Sequence, residues 1–133
     1  MTDLAANKDL VRRFYAEAIN GRDVGAVDRL LTEDFTHDGE QRGRAGQRVA
    51  VAAFLDAFDD LHNEILLLLA EGDLVAAHQR WTGTHTGPFA GVPATGRAVE
   101  FTSTAVLRIV DGFIAEAWDQ VDVAGLMGQL TEA

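Results

Sequence analysis

Between Val99 and Val121 the chain alternates apolar and polar residues on both sides of an Asp-Gly pair. Few folds accept that pattern. Successive side chains on a strand point to opposite faces, so residues two apart share a face. Val99, Phe101, Ser103, Ala105, Leu107 and Ile109 make one face of a first strand, and Glu100, Thr102, Thr104, Val106 and Arg108 make the other. A three-residue loop, Val110-Asp111-Gly112, closing in a bulge with a left-handed glycine, keeps odd residues opposite odd ones. It continues the apolar face through Phe113, Ala115, Ala117, Asp119 and Val121. In that register Ala105 faces Ala117, and Arg108 shares the outer face with Glu116. A two-residue turn would pair odd with even and mix the faces, so the bulged loop is the expectation.

Asp119 is the one ionisable residue on that apolar face. Burying a carboxylate among alanines and valines is costly unless it is paired or the site needs it. Left unpaired, its pKa rises from about 4 toward neutrality, which suits a base that removes a carbon-bound proton beside a carbonyl. The plainer reading gives it a partner from a helix, Arg12 or Arg13, or a backbone donor.

At 133 residues the chain reads as one domain, 1–133, with apolar content enough for a core. The longest apolar run, Ile65 to Ala70, fits a buried strand and is too short to cross a bilayer. No basic, apolar leader is recognisable, so the expected location is cytoplasmic. Without cysteine there are no disulfides or thiolate metal sites. The net charge of −10 argues against nucleic acid and anionic membranes as partners.

Asn7 to Asn20 carries a helical apolar stripe, stopped by Asn20-Gly21. A short helix follows from about Val24 to Leu31, capped by Asp23, then an extended piece from Phe35 to His37 and a third helix from Gln47 to Leu61. Strands Ile65–Ala70 and Leu74–His85 flank a turn at Glu71-Gly72-Asp73, a loop runs from Gly87 to Gly96, and Val123 to Leu130 closes the chain as a helix. Helices first and a strand meander after predict an α+β domain, three N-terminal helices on a curved antiparallel sheet enclosing a cavity. Val75, Ala77, Gln79 and Trp81 face inward.

The segments Glu71-Gly72-Asp73-Leu74-Val75-Ala76-Ala77, Gly83-Thr84-His85-Thr86-Gly87 and Gly91-Val92-Pro93-Ala94-Thr95-Gly96-Arg97 resemble the SnoaL-like polyketide cyclases. Arg108, Asp111-Gly112, Ile114-Ala115-Glu116, Trp118-Asp119 and Gln129-Leu130 continue the likeness, which runs from Leu10 onward. The resemblance implies the cone-shaped nuclear-transport-factor-2-like fold. It implies a cofactor-independent intramolecular aldol condensation of an aromatic polyketide ester, with Asp119 as general base and Tyr15 touching substrate. It also marks a departure: the cyclases tend to carry a histidine three residues before the arginine, where this chain has Ala105.

His37, where the chain enters the cone, is a candidate donor or acid toward an oxyanion; the plainer reading is a solvated histidine beside Asp38. His85 is expected to brace its loop and His78 to lie on the outer face. Four scattered histidines show no metal-ligand spacing, so no metal is expected; that no cofactor is expected is what the resemblance implies. Tyr15, Phe54, Phe58 and Trp81 are candidate ligand walls that also read as core. Ser103, Ala105 and Ala117 are small enough to leave a cavity beside Asp119. The Gly87–Arg97 loop is a plausible lid; no phosphate loop, serine nucleophile motif or dinucleotide fingerprint appears. Three functions compete: an aldol cyclase, a hydroxylase or water-adding enzyme in the same pocket, and a small-molecule-binding module without catalysis. A homodimer or homotetramer is expected, through an outer sheet face bearing Val106, Ile114 and Trp118.

Overall fold

The computed structural model describes residues 3–131. Helix α1 (Leu4–Phe14) starts where the Asp3 carboxylate accepts the Ala6 N–H at 3.0 Å. It continues as a π-helical segment, Tyr15–Asn20, which ends at Gly21. Gly21 is needed there, because a Cβ would lie 2.8 Å from the Glu17 carbonyl oxygen. Helix α2 (Ala26–Leu30), strand β1 (Leu31–His37), a two-residue strand β2 (Glu40–Gln41) and helix α3 (Gly43–Ala57) follow. Strands β3 (His62–Glu71), β4 (Leu74–Thr84), β5 (Ala98–Val110) and β6 (Phe113–Val121) and helix α4 (Val123–Thr131) complete the chain. No helix among the described residues is long and apolar enough to cross a membrane.

The six strands form one sheet in the order β2-β1-β6-β5-β4-β3. All neighbours are antiparallel except β1 and β6, which run parallel. Helices α1, α2 and α3 precede the long strands and pack on one face of the sheet. The core between them is built from Val11, Phe14 and Ile19 of the first helix, Val51 and Leu55 of α3, and the inward residues of β4 and β5. As the alternation predicts, Val75, Ala77, Gln79 and Trp81 are buried on β4, and every odd residue from Val99 to Ile109 is buried on β5.

The second hairpin departs from expectation in its register. Its turn is the two-residue Asp111-Gly112, with both residues at positive φ (52° and 81°), and Val110 pairs with Phe113. The bulge sits in β6: Ile109 pairs with Ile114 and Arg108 with Glu116, which leaves Ala115 without a partner across the strand. Near the turn, parity is therefore inverted. Ile114 points inward and is 1 % exposed, while Phe113 is exposed. Beyond the bulge odd meets odd, but shifted: Ala105 faces Asp119, not Ala117, and Ala117 faces Leu107. The outer face thus keeps Val106 and Trp118 and loses Ile114. The Arg108 guanidinium sits 5.8 Å from the Trp118 ring centre and pairs with Glu116 and Asp73.

Helix boundaries also move. The first helix begins earlier than its stripe suggested, and α3 runs from Gly43 to Ala57 instead of Gln47 to Leu61. Two guanidinium contacts tie the C-terminal end of α3: Arg22 donates to the carbonyls of Leu55 (2.9 Å) and Phe58 (3.2 Å). Phe58 is then the capping residue, fully buried behind the helix.

Candidate active site

The concave face of the sheet and the helices leave a cavity of about 240 Å³. Its wall is largely apolar, with Phe14, Ile19, Phe35, Val51, Leu107 and Ile114 among its residues. Tyr15, Phe54 and Trp81 border it, and so do Ala105 and Ala117, small residues that leave the space open. Phe101 adds an aromatic surface. Trp81 and Phe101 are cross-strand partners with rings parallel to within 2° and centres 6.0 Å apart; Phe54 stacks on both.

Two expected wall residues do not reach the cavity. Phe58 is 0 % exposed and packs on His85 and Phe89 as well as Phe54. Ser103, 3 % exposed, is spent inside the sheet, where its Oγ accepts the Trp81 indole N–H at 2.8 Å. A buried indole N–H needs such an acceptor, so Ser103 fixes the aromatic wall from behind.

Asp119 lines the cavity, and its Oδ1 is buried with no hydrogen-bond partner. Neither arginine proposed as a partner reaches it: Arg12 pairs with Asp9 and Arg13 with Glu17. Burial, followed by the charge of Asp38, raises its pKa from 3.8 to about 6. Tyr15 is buried by the start of the π-helical segment, a distortion frequent at functional sites. Burial and then the negative charge of Asp119 push its phenol well above the usual range, while a hydrogen bond with Gln79 acts the other way. The Tyr15 hydroxyl therefore stays protonated and available as a donor. Gln79 is itself held by the buried Asn63 amide, and Asn63 exchanges main-chain hydrogen bonds with the Asn20 side chain at 2.8 and 3.0 Å.

His37 ends β1 and lines the same cavity. The two-residue turn Asp38-Gly39, both at positive φ, follows it. The Asp38 carboxylate spans two parts of the site: one oxygen accepts the Asp119 N–H at 2.9 Å, and the other lies 3.2 Å from His37 Nδ1. The Asp38 N–H donates to the Ala117 carbonyl at 2.9 Å, joining β1 to β6. Burial and the nearby Arg42 lower the His37 pKa, with Asp38 and Glu40 opposing. Sequence reasoning missed Arg42 and Gln47, which also border the cavity. Both lie ahead of or at the expected start of the third helix, where a Gly- and Arg-rich run hid the real helix start.

The other histidines stay apart. Nδ1 of His85 takes the Thr95 N–H at 3.2 Å and lies 2.9 Å from the Thr95 hydroxyl, bracing the loop. Nδ1 of His78 bonds Thr104 on the outer face. Among the described residues no group of three or more acidic or histidine side chains is arranged to hold a metal ion.

The model of the SnoaL-like polyketide cyclase family matches residues 9–130. Two Streptomyces proteins, the aklanonic acid methyl ester cyclases DauD (strain C5) and DnrD (Streptomyces peucetius), are 32 % and 33 % identical. The alignments cover 93 % of this chain in both cases, and 81 % and 90 % of those proteins. The crystal structure of AclR from Streptomyces galilaeus, a proposed hydroxylase, superposes with a TM-score of 0.88 at 29 % identity, over 98 % of this chain and 84 % of AclR. With the helices-on-curved-sheet architecture and an unpaired aspartate in its concave face, this chain belongs to the SnoaL-like polyketide cyclase family.

Proposed function

We propose that this protein is a cofactor-independent cyclase that closes a ring in an aromatic polyketide ester by intramolecular aldol condensation, with Asp119 as general base. The observation that carries the reading is the unpartnered Asp119 oxygen in an apolar cavity walled by flat aromatic rings. An aspartate with a pKa of about 6 is ionised at neutral pH yet basic enough to take a proton from a carbon flanked by carbonyls. The C–H bond breaks and the proton goes to Asp119, with the Tyr15 hydroxyl donating to the carbonyl that becomes the enolate. The enolate carbon then attacks a second carbonyl of the same molecule, forming the new C–C bond and an alkoxide. His37, which lines the same cavity, protonates that alkoxide, and the proton held by Asp119 restores it. Atoms balance, so the product is an isomer of the substrate. Holding the folded substrate in a dry cavity supplies the orientation that the unimolecular step needs.

The test is incubation with anthraquinone-type polyketide esters, followed by mass and ultraviolet analysis, with Asp119→Asn as control. A product of unchanged mass that the variant does not form is expected. A product heavier by oxygen would replace this reading with hydroxylation, the reading that likeness to AclR favours. A ligand returned unchanged would replace it with binding alone.

The outer sheet face supports self-association of the protein. Leu69, Ala76, Val106 and Trp118 stand in one cross-strand row, with Leu69 67 % and Trp118 36 % exposed. Leu69→Lys should lower the mass seen by sedimentation; an unchanged mass assigns that face no role in assembly.

A further inference from the structure

The cavity wall carries one arginine, Arg42, and its bonding differs from that of the other arginines. Arg12, Arg13, Arg29, Arg48, Arg80 and Arg108 all pair with carboxylates. Arg22, Arg44 and Arg97 donate to main-chain carbonyls. Among the described residues, the Arg42 side chain has one hydrogen-bond partner, the Gln47 Oε1 at 2.8 Å, and no ion pair. This is unusual in a chain with 21 acidic and 11 basic residues, where carboxylates are plentiful. Nor does it neutralise Asp119, whose ionisation is set by burial and Asp38. A half-buried guanidinium against apolar walls without a counter-charge is costly.

Arg42 is also held in place. Its main-chain N–H donates to the Phe35 carbonyl at 3.0 Å, and its side-chain stem lies over Gly46. A Cβ at Gly46 would come within 2.6 Å of the Arg42 Cγ. Glycine inside a helix is destabilising by roughly 1 kcal/mol relative to alanine, so its presence here has a positional reason: it makes room for the stem.

We propose that Arg42 and the amide of Gln47 form a subsite for an anionic oxygen, a carboxylate or an ionised phenol, carried by a flat aromatic ligand in the cavity. A guanidinium offers several N–H donors in a planar fork suited to such an oxygen, and Gln47, already accepting from Arg42, presents its own N–H groups. The ligand then lies with its rings among Phe54, Trp81 and Phe101 and its charge at the α3 end. The inference rests on the aromatic-ligand reading above and adds the charge that the ligand bears.

The test is titration by tryptophan fluorescence with anthraquinone-2-carboxylate, its methyl ester and 2-hydroxyanthraquinone. The unaltered protein should bind the carboxylate about tenfold more tightly than the ester, a difference of ~1.4 kcal/mol. Arg42→Gln should remove that preference, so that the carboxylate binds no more tightly than the ester. Gly46→Ala, which keeps the cation but displaces its stem and favours the helix, should also narrow the preference. For 2-hydroxyanthraquinone, tighter binding on ionisation in the unaltered protein but not in Arg42→Gln identifies a phenolate as an accepted source. A preference confined to the carboxylate identifies that source instead. Equal binding of acid and ester overturns the inference and leaves the aromatic cavity standing. Binding of none of the three overturns both.

Discussion

Replacing Asp119 by asparagine should make the protein more stable at neutral pH. In the folded chain the carboxyl has a pKa of about 6, against an ordinary value of 3.8. Between these values the folded state holds a proton that the unfolded state has released, so stability falls as pH rises through that window. Below it both states are protonated and the penalty is absent; above it both are ionised and the penalty is complete. Two pH units correspond to ~3 kcal/mol, at ~1.4 kcal/mol each, and partial solvent contact of the carboxylate reduces this to ~2 kcal/mol. For a chain of this length the gain amounts to roughly 6–10 °C in Tm. The assay is thermal and urea unfolding of both proteins at about pH 8 and at about pH 3, values on either side of the window. Asp119→Asn should be the more stable at the higher pH, with the difference vanishing at the lower. An Asn variant no more stable than the parent at the higher pH would show that Asp119 is paired or solvated in solution, and would refute the reasoning from burial.

Three further outcomes follow from the same geometry. Asp38→Asn removes the second cause of the raised Asp119 pKa, so the Asp119 carboxyl titration followed by NMR should move to lower pH; an unmoved midpoint contradicts the coupling. Ser103→Ala takes the acceptor from the buried Trp81 N–H and should cost ~1–3 kcal/mol in urea unfolding; no loss would mean that the indole finds another partner. Ala105→Leu places a branched side chain opposite Asp119 in the open cavity and should reduce binding of anthraquinone-2-carboxylic acid methyl ester at least about tenfold. Undiminished binding would place the ligand elsewhere.

Much of the fold was legible because alternation is a strong constraint once one face is buried. The inward set of β4 and β5, Asp119 on the concave face and the Arg108–Glu116 pair all follow from parity. Parity does not say where the extra residue of a hairpin sits. A loop of three and a turn of two followed by a bulge at Ala115 restore the same alternation beyond the irregularity, but they differ by two residues in register and invert Phe113 and Ile114. Phe58 and Ser103 were misplaced for another reason. Aromatic and small residues facing a core look alike from sequence whether they border a cavity or back its wall, and the distinction is set by neighbours such as His85 and Trp81. Arg42 and Gln47 were hidden because α3 begins at Gly43, with φ +67°, and carries Gly46 in its first turn, signals that read locally as loop. A clue to Asp38-Gly39 was present: it is the same Asp-Gly pair that marks the larger hairpin, and it forms the same kind of two-residue turn.

The measurement that bears most directly on Asp119 as a base is exchange of the α-proton of an anthraquinone-type β-keto ester lacking a second carbonyl within reach, followed by NMR in D2O. Such a molecule can be deprotonated but cannot cyclise, so exchange isolates the first step. The unaltered protein should accelerate exchange over buffer along a sigmoid rise near pH 6, where Asp119 ionises, and Asp119→Asn should bind the ester without accelerating it. Equal acceleration by both proteins would contradict the assignment of Asp119 as the base.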